Sequence, residues 1–211
     1  MEALNHFLFQ EMNFAGNQAD YYQPENSFLH QVLERRLGIP VSLSVVYLEV
    51  GWRLGLPVWG IALPGHFLVG YGPVEEALYV DVFHQGKLLS VEECMQIAAG
   101  PFSNPAAFQQ YFLKPAPKKA ILLRMLNNLK QIYIRANNWE PAYHTSDLML
   151  ALYPSQVKEL RDRGVLAYRM GRFQAATFDL YRYLFLRPDG PDSEWLNSRL
   201  QEMEEQLLRL N

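Results

Sequence analysis

The sequence has one cysteine, Cys94, so no intrachain disulfide can brace the fold, and this suits a reducing compartment. Neither sign of charge dominates: 19 Lys and Arg stand against 22 Asp and Glu, a net charge of −3. The basic residues form no stripe that could follow a phosphate backbone, which argues against a nucleic-acid partner. No stretch approaches the roughly 18 apolar residues of a membrane span, and the opening MEALNHFLFQEMNF has neither a basic leader nor a long apolar run. A soluble cytoplasmic protein without a membrane partner is expected. His6, His30, His84 and His144 fall in no HExxH or Cys/His spacing, so no metal site and no cofactor are expected.

With 49% hydrophobic residues in 211, the chain can bury one good core or two modest ones. Its organising stretch is Arg35 to Phe83. Gly38-Ile39-Pro40 opens a helix, because proline has no amide to lose in the first turn. Leu43, Val46, Tyr47, Val50 and Leu54 mark one face, and Val41, Val45, Leu48 and Trp52 cover the others. A helix apolar nearly all round belongs in a core. Gly55-Leu56-Pro57 ends it with a left-handed cap and a proline that cannot continue.

Three β-rich runs follow, Val58 to Leu63, His66 to Tyr71 and Ala77 to Phe83, separated by Pro64-Gly65 and by Gly72-Pro73-Val74-Glu75. A four-residue hairpin loop pairs Tyr71 with Glu76 and sets His66 opposite Asp81, on one sheet face. An imidazole held by a carboxylate is the general-base half of a triad. The competing account of the pair is a polar cross-strand contact without chemistry.

Before this stretch, residues 3 to 12 are expected to be helical, and Asn26 is expected to cap a helix buried through Phe28, Leu29, Val32, Leu33 and Leu37. After it, Ser90 to Ala99 reads as a short amphipathic helix in which Cys94 is a small buried hydrophobe. Gly100 to Pro117, rich in proline and aromatics, reads as a connecting stretch. Beyond it an internal repeat appears. Shifted by 34 residues, Leu126 falls on Leu160, Asn137 on Gly171, Trp139 on Phe173, Ala142 on Ala176 and Pro154 on Pro188. That is the tetratricopeptide period. Asp192 to Leu210 reads as a capping helix, with Leu196, Leu200, Met203 and Leu207 on one stripe.

The segments NFAGNQADYYQPENSFLHQVLERRLGIPVSLSVVYLEV, LPGHFLVGY, YVDVFHQGKLLSVEEC, ILLRMLNNLKQIY and RDRGVLAYRMGRFQAATFDLYRYL resemble the SirB-type transglutaminase-like/tetratricopeptide proteins, over nearly the whole chain. The resemblance implies an α+β fold. A papain-like helix and antiparallel sheet would occupy residues 1–116, followed by two tetratricopeptide-like repeats and a capping helix over 117–211. It also implies a domain shortened at its N-terminus, since members carry helices before this point. The resemblance further implies that His66 and Asp81 match the second and third members of the Cys-His-Asp site of true transglutaminase-type enzymes. The cysteine position holds Pro40, which has no nucleophilic atom. Ser42 and Ser44, just inside the first turn, carry hydroxyls that could substitute if a base is aligned with them.

The repeat register turns Arg124, Asn127, Lys158 and Arg161 toward a groove, where guanidinium and ammonium groups could hold a carboxylate or an acidic peptide end. The plainer account is a solvated face or a tie made by Arg161-Asp162-Arg163. Two functions follow. One is a non-catalytic adaptor or regulator that binds a protein or acidic peptide. The other is a hydrolase or acyl-transfer enzyme using Ser42 or Ser44 with His66 and Asp81.

Overall fold

The computed structural model describes residues 1–98 and 100–209. Ala99, Leu210 and Asn211, which include the expected last residues of two helices, lie outside the described residues. The chain divides into two compact units, Met1–Met125 and a second from Leu126 on.

In the first unit, α1 (Glu2–Asn5) runs into a π-helical turn over His6–Glu11. A short parallel pair, β1 (Ala15–Gly16) with β2 (Leu37–Gly38), brackets α2 (Leu29–Arg35). Then comes the core helix α3 (Pro40–Arg53), its start and stop set as the sequence implies. Pro40 takes the first helical position, and the Ser42 hydroxyl accepts the Ile39 N–H at 3.0 Å. Gly55 sits at φ +69°, the left-handed turn that halts the helix. Val41, Leu43, Tyr47 and Leu48 are all at most 1% exposed.

A four-stranded antiparallel sheet lies against α3, in the order β3 (Val58–Ile61), β4 (Leu68–Tyr71), β5 (Leu78–Asp81), β6 (Lys87–Leu89). Alternation along the strands divides the apolar residues between two cores. Val58, Val69 and Val80 join α3, while Ile61, Leu68 and Tyr79 join Cys94 of α4 (Val91–Ile97) and Phe108 of α5 (Pro105–Phe112). The sheet is thus sandwiched between helices on both faces.

Four expectations need correcting. The hairpin register is slipped by two residues: Tyr71 pairs with Leu78 and Gly70 with Tyr79. A 3-10 turn over Val74–Glu76, closed by Glu76 N–H to the Pro73 carbonyl at 3.1 Å, lengthens the loop to residues 72–77. His66 therefore precedes β4 instead of pairing across from Asp81. An even slip keeps each residue on its own face, so the hydrophobic pattern could not reveal it. Second, the stretch 100–117 contains α5, nucleated by Pro105 and by Asn104, whose side chain accepts the Ala107 N–H at 3.1 Å. Third, β6 extends the sheet beyond the three strands expected. Finally, Asn26 caps no α-helix. It is fully buried in a 3-10 turn, and Phe28 stands at the N-cap of α2. Of the face expected to be buried in α2, Val32 is enclosed while Leu29 and Leu33 are exposed.

Helix α6 (Lys118–Arg135) leads into the second unit, which continues with α7 (Trp139–Leu152), α8 (Val157–Arg169), α9 (Phe173–Leu186) and α10 (Ser193–Arg209). The 34-residue period is visible in backbone and packing alike. Asn137 and Gly171 both take left-handed φ, +53° and +70°, Trp139 and Phe173 open the second helix of each pair, and Ala142 and Ala176 are fully buried. Where α8 crosses α9, a Cβ on Gly164 would come within 2.7 Å of the Leu180 side chain, so the crossing needs glycine. Leu196, Leu200 and Met203 of α10 close the core as a cap.

The second unit also buries charge. Lys130, 1% exposed, donates to both carboxylate oxygens of Glu159 (2.9 and 2.7 Å) and to Asp162 (2.9 Å). Arg163 forks onto Asp179 (2.6 and 2.7 Å) and reaches Asp147 (2.5 Å). Among the described residues, no helix is long and apolar enough to cross a membrane.

Candidate functional site

Asp81 ends β5 and is 2% exposed. The chain turns back over it at once, so the N–H groups of Phe83 (3.1 Å) and His84 (3.3 Å) donate to Oδ1. Oδ2 accepts two imidazoles, His66 through Nε2 at 3.0 Å and His84 through Nδ1 at 2.8 Å. A carboxylate can only accept, so both of those ring nitrogens carry the proton. Burial alone would raise the Asp81 pKa, but the hydrogen bonds and charge of His66, then those of His84, hold it below the ordinary aspartate value. Four donors thus fix an ionised carboxylate in place.

His66 is nearly enclosed and His84 half-exposed. Their rings stack with centroids 6.2 Å apart, and Phe83 stands edge-on to both. With Nε2 of His66 committed to Asp81, Nδ1 is the atom left to act as a base. The backbone carbonyl of His66 accepts from the Arg124 guanidinium at 3.2 Å. Burial lowers the Arg124 pKa, and Tyr21 opposes that shift.

His66 and Asp81 are therefore together, with His84 as a third member that no metal-ligand spacing in the sequence marks. The signal lay in Asp81-Val82-Phe83-His84, where a turn brings the imidazole back onto the carboxylate three residues earlier. The serines are placed differently. Ser42 Oγ donates to the Asn26 carbonyl at 2.6 Å while accepting from Ile39, so its hydroxyl is spent on the start of α3. Ser44 Oγ is buried with no hydrogen-bond partner. Among the described residues, neither hydroxyl bonds to His66 or Asp81. Cys94 is fully buried, and burial pushes its thiol up to about 12.

Of the four groove candidates, Arg124 and Asn127 lie three residues apart on α6 and Lys158 and Arg161 three apart on α8, with the boundary between the units falling after Met125. Arg124 belongs to the first unit, beside His66, and Asn127, Lys158 and Arg161 to the second. Arg161 donates to Asp162 (3.0 and 2.6 Å) and to Asp192 (2.9 Å). Desolvation works against its charge, but these hydrogen bonds prevail and raise its pKa. It lines a depression of about 480 Å³ with Asp162, Arg169, Asp192, Trp139 and Trp195. Arg169 lies over the Trp139 ring at 4.9 Å. Lys158 shares the helical face of Arg161 and Arg169, at spacings of three and eleven residues along α8.

Comparison with known proteins agrees with this architecture. The model of the transglutaminase-like superfamily matches residues 1–127, and that of a tetratricopeptide repeat matches 129–201. The UPF0162 protein of Xylella fastidiosa (strain 9a5c) is 39% identical over 214 residues, covering 99% of this chain and 75% of its own length. The UPF0162 protein of Vibrio cholerae is 30% identical, over 96% of this chain and 75% of its own. F-box only protein 21 of Mus musculus is 33% identical over 85% of this chain but only 30% of itself.

Proposed function

The chain belongs to the SirB-type transglutaminase-like/tetratricopeptide family, and on that premise we propose that it is a non-catalytic adaptor or regulator that binds a protein or acidic peptide. The observation that carries this is the start of α3. On the resemblance to transglutaminase-type enzymes the nucleophile position falls on Pro40, and the nearby hydroxyl of Ser42 is locked between Ile39 and Asn26. For Ser42 to attack a carbonyl it would abandon a buried carbonyl acceptor, at a cost of about 1–3 kcal/mol, and the cap of its own helix. His66 on Asp81 is then a base without an acid to deprotonate.

The purified protein should show no turnover of fluorogenic peptides or of glutamine–amine pairs above blank, and Ser42→Ala or Ser44→Ala should leave that blank-level rate unchanged. Turnover that vanished in either variant would overturn the adaptor reading in favour of a serine hydrolase or acyl transferase.

The depression between Trp139 and Trp195 supports the second unit as the partner surface. Arg161 is largely neutralised by its two aspartates, so Lys158 and Arg169 are the cations left to meet an incoming carboxylate. A labelled peptide ending in free Asp or Glu carboxylates is expected to bind there and to quench tryptophan fluorescence. Its affinity should fall several-fold as salt rises, since the Debye length shrinks to about 3 Å at 1 M. Lys158→Ala should weaken it without unfolding the chain. Binding indifferent to both salt and Lys158→Ala would rule this surface out. A cytoplasmic location belongs to the same proposal, and the single buried thiol supports it.

A further inference from the structure

We propose that His66, Asp81 and His84 form a site for a divalent first-row metal ion, with two imidazole nitrogens and one carboxylate oxygen as ligands. The proposal goes beyond the adaptor reading and does not depend on it.

The three candidate ligand atoms, one from each residue, lie within 4.8 Å of one another. Zinc bonds of about 2.0–2.1 Å in a tetrahedron place neighbouring ligand atoms about 3.3 Å apart. Of the three separations, the two from Asp81 Oδ2, 3.0 Å to His66 Nε2 and 2.8 Å to His84 Nδ1, need to open by a few tenths of an ångström, and the one between the two imidazoles, within 4.8 Å, has to settle to the same value. That movement is available because His84 sits on a half-exposed turn. The carboxylate needs no rearrangement. Oδ1 is already anchored by two backbone N–H groups, which leaves Oδ2 as the oxygen that meets both imidazoles. Metal-binding carboxylates are commonly fixed by outer hydrogen bonds of this kind.

The exchange balances. Each imidazole now donates the proton of its ligating nitrogen to Oδ2. On metal binding a neutral ring carries its proton on the opposite nitrogen, so it frees a lone pair without net proton release. A ring that starts protonated gives up one proton to solvent. The Asp81 carboxylate, the one carboxylate in the cluster, offsets one of the ion's two charges, and the remaining positive charge is left for a solvent anion or hydroxide at an open position. Two nitrogens and one oxygen suit zinc, cobalt or iron(II) better than magnesium or calcium, which prefer all-oxygen sites. Three protein ligands also leave a coordination position for water. His84 borders a depression of about 270 Å³, lined also by Gly16, Gln18, Phe83 and Gln85.

The test uses the full chain, stripped with a chelator and titrated with Zn²⁺ or Co²⁺ alone. One equivalent should bind, and Co²⁺ should develop the visible bands of a four- or five-coordinate nitrogen–oxygen site. His84→Ala, on an exposed turn, should weaken binding by more than about ten-fold. Asp81→Asn, which keeps an oxygen for the backbone N–H groups, should weaken it as well. His144, exposed beside Glu140, is the alternative surface ligand, and His144→Ala should leave binding unchanged. No bands, binding that survives His84→Ala and Asp81→Asn in a chain with unchanged circular dichroism, or binding lost with His144→Ala would each overturn the proposal.

Discussion

Replacing Lys130 by alanine should cost the second unit about 3–5 kcal/mol, the range found when one partner of a buried ion pair is removed. Lys130 and Glu159 are 1% and 4% exposed, and the ammonium spends all three protons on Glu159 and Asp162. Without it, the Glu159 carboxylate stays buried with no countercharge. Removing that charge too should recover much of the loss, so Lys130→Met combined with Glu159→Leu should be far more stable than Lys130→Ala alone. Urea unfolding of the full chain, followed by tryptophan fluorescence, measures the difference. A loss below about 1 kcal/mol, within the range of an exposed pair, would mean that water reaches Glu159.

The first unit should respond as strongly at Tyr47, and there two substitutions divide the effect. Tyr47→Ala empties a site with no exposed surface and should cost about 3–5 kcal/mol, as large aromatic truncations in cores do. Tyr47→Phe keeps the ring and loses one hydrogen bond, worth about 1 kcal/mol. That bond has a further consequence. The Tyr47 hydroxyl donates to Asn5 Oδ1 at 2.8 Å, and Asn5 Nδ2 donates to the Gly86 carbonyl at 3.2 Å, two residues after His84. The phenylalanine variant should therefore speed amide exchange in the turn around Gly86 out of proportion to its small effect on global stability. Equal losses for both variants, or no local change in exchange, would break this link between α3 and the turn.

The parts of the molecule that could be read from the sequence are those whose signals are local and redundant. Helix α3 carries a proline at its start, a glycine at its end and apolar residues between, so three independent features agree. The repeats announce themselves twice, 34 residues apart. The β4–β5 register could not be read because a slip of two residues leaves every side chain on its original face. His66 and Asp81 meet despite that error, since a histidine just outside the strand can still reach a carboxylate at the neighbouring strand's end. His84 was hidden for a different reason. Its contact with Asp81 comes from a turn that folds it back onto the carboxylate, and metal-site patterns do not include that spacing. Arg124 and Arg161 looked alike as groove cations, but one finds the His66 carbonyl and the other two aspartates. Those partners are 58, 1 and 31 residues away, and only the folded chain shows which will be chosen.

The left-handed turns at Asn137 and Gly171 bear on how this lineage can drift. At Gly171 nothing lies within 4 Å of where a Cβ would be. Any L-residue there pays a backbone penalty of about 1–2 kcal/mol and meets no steric neighbour. Asn137, one period earlier, shows that a short amide side chain is a workable occupant of the same conformation. Substitutions at position 171 are therefore filtered by handedness alone, and Asn or Asp can enter without any compensating change in the helices on either side. Gly164, seven residues away, has no such latitude. Its substitutions must wait for a matching change at Leu180, so two glycines in one repeat are expected to have very different histories.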